Sequence, residues 1–183
     1  MNPIPYMFKS GVRVLMLINR GVNNTNKGSR RWINKTITSN IDEFEDAHEK
    51  LLDLMFYLDN PNIRLYQCIN DRKFDNAVIM FQHRQLDLPQ ENKINFYSNI
   101  NDRFCSTLMA PENKKSKYFL LDVDNDDSIE ALKFIEDNDI EALLAYETPN
   151  GFHFIVEPFN VLLAKNAKTF EVKKDGLMLL NWL

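Results

Sequence analysis

Apolar positions recur every three or four residues in some stretches of the chain and every second residue in others, so amphipathic helices and half-buried strands are both expected. From 40 to 58, NIDEFEDAHEKLLDLMFYL places Phe44, His48, Leu51, Leu52, Met55 and Phe56 at helical spacing behind a capping Asn40 or Asp42. This predicts a surface helix with His48 at its boundary. NIRLYQCI at 62–69 reads as a strand, 72–86 as a helix carrying Phe74, Val78, Ile79 and Phe81, and 93–108 as a further helix. His83 has no acidic partner at metal-ligand spacing and reads as structural. The polar, Asn-rich segment 22–31 reads as a loop.

The last third is patterned more clearly. KYFLLDVDN at 117–125 is a strand ending in acids, and DDSIEALKFIEDND at 126–139 is a capped helix with Ile129, Leu132 and Ile135 expected inward. IEALLAYET and GFHFIVEP are strands joined through Pro149-Asn150-Gly151, where proline presets the turn and glycine tolerates positive φ. A short helix or crossover at 160–167 follows, and KTFEVKK with LMLLNWL is expected to form a final hairpin around Asp175-Gly176. The order from 117 to 173 is β-α-β-β-α-β, an RRM-like or ferredoxin-like unit. The fold class is therefore α+β. One domain spans 1–183, with an N-terminal α/β lobe at 1–116 and the RRM-like unit at 117–183.

Strand alternation assigns faces. Phe119, Leu121 and Val123 share one face of the first strand and Asp122 and Asp124 the other; Phe152, Phe154 and Val156 oppose His153; Phe170 and Val172 oppose Glu171 and Lys173. Right-handed crossovers place the first strand between the third and fourth, antiparallel to both. Asp122, Asp124, His153 and Glu171 then meet at one edge of an open sheet face. Acids this close repel unless a cation intervenes, and hard oxygen donors suit Mg²⁺ or Mn²⁺. As an exposed cluster, they would gain stability from losing one charge.

Composition narrows the setting. With 44% hydrophobic and 26% charged residues among 183, 5 Gly and 7 Pro, the chain can bury a core and belongs with soluble globular proteins. The net charge of −4 gives no general attraction to polyanions, so any such site is local. The basic candidates are 26–32 (with Arg30 and Arg31), 113–117 (with Lys114, Lys115 and Lys117) and 165–174, although each alone reads more readily as solvated surface. Cys68 and Cys105 are isolated, which argues against zinc and against a disulfide. Lys9, Arg13 and Arg20 interrupt the apolar N-terminus, so neither a signal peptide nor a membrane span is expected and the location is expected to be cytoplasmic.

YFLLDVD, TPNGFHFIV and TFEVKKDGLMLL together resemble the catalytic motifs of the archaeo-eukaryotic primase, or primase-polymerase, superfamily. The resemblance covers roughly 117–180. It implies a metal-dependent nucleotidyltransferase in which Asp122, Asp124 and Glu171 hold two divalent ions and His153 contacts the phosphates of an incoming NTP or dNTP. Lys173 and Lys174 would assist at the triphosphate. Arg30, Arg31, Lys114, Lys115 and Lys117 would meet a single-stranded or primed DNA template, and a replicative helicase is a candidate partner. Three departures stand out: Gly151 replaces the family's usual serine, the third acid is Glu171 with Asp175 as its fallback, and no zinc motif is present. The small size and the Asn-, Lys- and Ile-rich composition suggest a phage or mobile-element protein. Two other readings compete. One is an RRM-like module binding single-stranded nucleic acid, weakened because the strand aromatics fall on the helix-facing side. The other is a degenerate primase-like fold acting as a nucleic-acid-binding or inhibitory protein-interaction module.

Overall fold

The run VLMLI is apolar at every position, and in the computed structural model, which describes residues 6–21, 31–88, 93–124 and 128–183, it forms an interior strand. This strand, β1 (Arg13–Asn19), is buried from Arg13 to Ile18. It is flanked antiparallel by β2 (Arg31–Thr38) and β3 (Ile63–Cys68), and the sheet closes with the chain's last strand, β8 (Leu177–Trp182), in the order β2-β1-β3-β8. A short α1 (Tyr6–Lys9) precedes it. The helix α2 (Ile41–Leu58) begins where the Asn40 side chain accepts from the Glu43 N–H at 2.9 Å, as the capping pattern predicts. It buries Phe44, Ala47, Leu51 and Met55, whereas Phe56 remains exposed. His48 is half-buried and tied to Asn181 of β8 at 2.8 Å. The helix α3 (Phe74–Leu86) follows β3. The single helix expected over 93–108 is broken at Asn99 into α4 (Lys93–Ser98) and α5 (Ile100–Leu108).

The second sheet holds β4 (Phe119–Asp124), β5 (Ala142–Thr148), β6 (Gly151–Val156) and β7 (Phe170–Lys173) in the order β5-β6-β4-β7, all antiparallel. Thus β4 lies between β6 and β7, as the crossover argument requires. Phe119, Leu121, Val123, Phe154 and Phe170 face a core closed by α6 (Ser128–Asp137), so the expected phase of these strands holds. On α6 the inward residues are Ala131 and Ile135 with Phe134 beside them, while Ile129 and Leu132 are exposed. The helical stripe is therefore rotated from the one read in sequence. A single 3₁₀ turn, Val161–Ala164, stands where the second helix was expected. Among the described residues the protein is thus mixed α+β, with two antiparallel four-stranded sheets and six α-helices.

The expected C-terminal hairpin does not form. β7 pairs with β4, whereas β8 crosses into the other sheet beside β3. The reason lies in the turn between them. Asp175 accepts both guanidinium amines of the fully buried Arg72, at 2.7 and 3.0 Å, and the Asn70 amide at 3.1 Å. Ile69 N–H donates to the Gly176 carbonyl at 3.3 Å. Gly176 itself lies on Leu120, where an added Cβ would stand 2.7 Å from that side chain, so only glycine lets the chain cross here. The other face of the second sheet is consequently not open along its length: Leu120, Tyr146 and Ile155 join the first sheet's core with Met178 and Leu179.

Breaking this anchor strands a buried charge. Asp175→Ala is expected to destabilise the protein by about 3 kcal/mol or more, read as a lowered urea midpoint. A loss within a few tenths of a kcal/mol would show that the crossover does not depend on the pair.

Candidate functional site

Where the two sheets diverge, they leave a cleft of about 310 Å³. One wall is acidic. Asp122 and Asp124 reach it from β4, with His153 directly opposite Asp122 on β6 and Glu171 directly opposite on β7, as the register sets. The other wall carries Arg64 and Tyr66 of β3, with Arg20 just beyond β1.

Asp122 is the centre of the acidic wall. Its Oδ1 accepts from His153 Nε2 at 3.0 Å, and its Oδ2 pairs with Lys173. The bond from His153 and the pairing with Lys173 hold its carboxyl far below the usual carboxylate range, against the opposing pull of partial burial. Lys173 also reaches Glu171 at 3.4 Å, so one ammonium serves two acids.

His153 is buried and held from behind. Tyr146 Oη lies 2.7 Å from its Nδ1 and accepts the Leu179 N–H at 3.0 Å. Burial keeps the Tyr146 hydroxyl well above the ordinary phenol value, so it remains protonated beside Nδ1. Nε2 carries a proton toward Asp122, since the ionised carboxylate can only accept. A hydrogen-bond chain thus runs from the β8 backbone through Tyr146 and His153 to the carboxylate.

The structure therefore brings together Asp122, Asp124, His153, Glu171 and Lys173 of the residues marked out in the sequence. Lys174 lies outside the cleft, and its carbonyl accepts from Lys114 Nζ at 3.1 Å. Lys115 pairs with Asp71 at 3.1 Å, and Lys117 is exposed ahead of β4. Arg30 and the side chain of Arg31 lie outside the described residues. Asp175 lines the cleft, but both its oxygens are committed to Arg72.

Sequence reasoning missed Arg20, Arg64 and Tyr146. Arg20 and Arg64 interrupt apolar strand sequences, which is a weak signal. Tyr146 was readable: a two-residue turn pairs Thr148 with Gly151 and hence Tyr146 with His153. Gly151 has φ 150°, a conformation that favours glycine, so a side chain at this hairpin position would be strained.

No three His, Cys, Asp or Glu side chains converge as a ready-made metal site among the described residues. The donor set nevertheless suits a hard divalent ion in kind, being carboxylate oxygens from β4 and β7 around a single positive charge. That charge is now the Lys173 ammonium. Among the described residues no helix is long and apolar enough to cross a membrane. Comparison of the chain with protein-family models, curated proteins and solved structures finds no match.

Because Asp122 is paired, the stability gain expected from removing a charge is reversed. Its depressed native pKa contributes stability that is fully present above the unfolded value of about 3.9 and is lost as pH falls below it. Asp122→Asn is expected to lower stability at pH 7 by about 1–2 kcal/mol, with the gap to wild type closing as pH falls below 4 (about the unfolded-chain value). A pH-independent gap in chemical denaturation would reject this account.

Proposed function

We propose that the protein is a metal-dependent nucleotidyltransferase of primase-polymerase type, joining nucleotides on a nucleic-acid template. One observation carries the reading: the cleft has a wall of acids facing a wall of arginines. A ligand matching both walls carries divalent cations and polyanionic phosphate together, as a metal-bound nucleoside triphosphate does. The strand order β5-β6-β4-β7, with α6 after β4, supports an RRM-like unit behind the acidic wall.

Asp122, Asp124 and Glu171 would hold Mg²⁺ or Mn²⁺. Such ions, when bound, neutralise triphosphate charge and favour attack by a 3′-hydroxyl. The remaining work belongs to the chain's own side chains. Lys173 partly offsets Asp122 and Glu171 before ligand arrives and is placed to turn to phosphate once that charge is supplied otherwise. Arg64 and Arg20 hold anionic oxygens from the opposite wall. His153, held from behind by Tyr146, orients Asp122 and reaches phosphate only when Nε2 leaves that carboxylate.

A second reading, a degenerate fold that binds partners without catalysis, is favoured by Lys173 already filling the cation's place. Labelled NTP or dNTP incorporation on single-stranded and primed templates separates the two. Wild type is expected to incorporate with Mn²⁺ or Mg²⁺, to lose at least a hundredfold in Asp124→Ala (on the order of the effect of losing a metal ligand), and to fall in His153→Ala. Absence of incorporation together with absence of metal-dependent nucleotide binding would move the assignment to the non-catalytic module.

A further inference from the structure

The chain holds two tryptophans, and both stand on one transverse row of the β2-β1-β3-β8 sheet. Trp32 is paired with Ile18, Ile18 with Arg64, and Arg64 with Trp182. Directly opposed residues share a face, so these side chains form a single row across all the strands, roughly 14 Å from first to last.

The direction in which the row faces follows from its neighbours. Leu65, next to Arg64, pairs with Asn181, whose side chain bonds His48 of α2. The row therefore lies on the face away from α2. Ile18 and Arg64 line the cleft, while Trp32 and Trp182 flank them at either end of the row.

Neither tryptophan is spent on the core: Trp32 is 42% exposed and Trp182 43%. Lys35 Nζ, which pairs with Asp102 at 3.3 Å, sits 4.6 Å from the Trp32 ring, and the Arg20 guanidinium lies 5.4 Å from the Tyr66 ring. Among the described residues neither Arg20 nor Arg64 has a carboxylate at ion-pairing distance. Exposed tryptophans flanking arginines that lack acid partners match a ligand with flat π faces joined by anionic links. An apolar protein partner would leave Arg64 desolvated without a counter-charge.

We propose that this row is a platform for single-stranded nucleic acid, with bases stacked on Trp32 and Trp182 and the intervening phosphates held by Arg64 and Arg20. The proposal rests on the nucleotidyltransferase reading for its direction, since Ile18 and Arg64 belong to both the row and the cleft and would lead a strand to the acids. Its surface differs from the basic clusters expected to hold a template. Duplex DNA offers no free base faces to the tryptophans and is the weaker ligand here.

The test is anisotropy of a labelled single-stranded oligonucleotide, in EDTA and without nucleotide, so that no catalytic step enters. Wild type is expected to bind, and its intrinsic fluorescence to be quenched, because every tryptophan lies in the row. Trp32→Ala and Trp182→Ala are each expected to weaken binding about tenfold, and Trp32→Phe and Trp182→Phe to retain most of it. Arg64→Ala is expected to weaken binding and to lower the salt slope by about one.

Circular dichroism identifies any variant that fails to fold, in which case the phenylalanine variants and Arg64→Ala decide. Unchanged affinity in a folded double alanine variant, absence of quenching, or equal affinity for duplex would overturn the platform. So would sedimentation showing that the row is instead covered by a second copy of the chain. Strand binding without incorporation would leave the platform standing and sink the transferase reading; incorporation with affinity indifferent to the tryptophans would do the reverse.

Discussion

The ion pair between Arg72 and Asp175 holds the two sheets in their relation, and the rest of the molecule depends on it. Arg72 follows β3, and Asp175 lies between β7 and β8, so one pair links the exit of the first sheet to the crossover from the second. Asn70 completes the junction. Its amide bonds Asp175 and the Tyr118 carbonyl, and its carbonyl oxygen accepts the Tyr118 N–H at 2.7 Å, fixing the entry to β4. A guanidinium removed from water at this point costs several kcal/mol unless paired, and a fork-to-fork carboxylate is the partner that best repays it. The neighbouring Asp71 closes the junction on the other side by accepting the Val12 N–H at 2.6 Å and pairing with Lys115.

A cleft between the sheets follows from that crossover. Because β8 leaves the second sheet, its inner face is covered at Leu120, Tyr146 and Ile155, and the end bearing Asp122, Asp124 and Glu171 opens on the cleft with His153 buried beside Asp122. Lys173 lies on the same face, two residues from Glu171 on β7 and directly opposite Leu120, and from there it reaches both Asp122 and Glu171. The cluster is thus only partly neutralised at rest, and anything that binds the carboxylates competes with an ammonium already in place.

Much of this arrangement was legible from strand phase. Apolar alternation in YFLLDVD, GFHFIV and TFEVK placed Asp122, His153 and Glu171 on one face, and crossover handedness placed their strands side by side; the structure agrees on both counts. Periodicity cannot tell which sheet a strand joins. LMLLNWL alternates weakly and carries no register signal, so its pairing with β3 rested on Asn70, Arg72 and Asp175, residues distant in sequence whose meeting is a tertiary event. The α6 stripe was misread for a related reason: the small Ala131 packs against the sheet where the larger Leu132 was expected, and residue size alone does not report facing. The arginine wall escaped notice because Arg64 of β3 and Arg20 just beyond β1 come to face the acids only after β8 has joined the sheets.

β8 unites the functional elements through its alternation. Leu179 turns toward the cleft, and its backbone N–H holds Tyr146, which braces His153. Asn181 points the other way and fastens α2 through His48. Trp182 returns to the cleft side beside Arg64. The bulge between Leu65 and Tyr66 makes this sequence of directions possible, since it lets Leu179 oppose Tyr66 while Trp182 still opposes Arg64. Without that extra residue, the strand could align with Tyr66 or with Arg64 but not with both. The acid-supporting hydrogen-bond chain and the tryptophan row are therefore set by one register, and a slip in β8 would disturb both together.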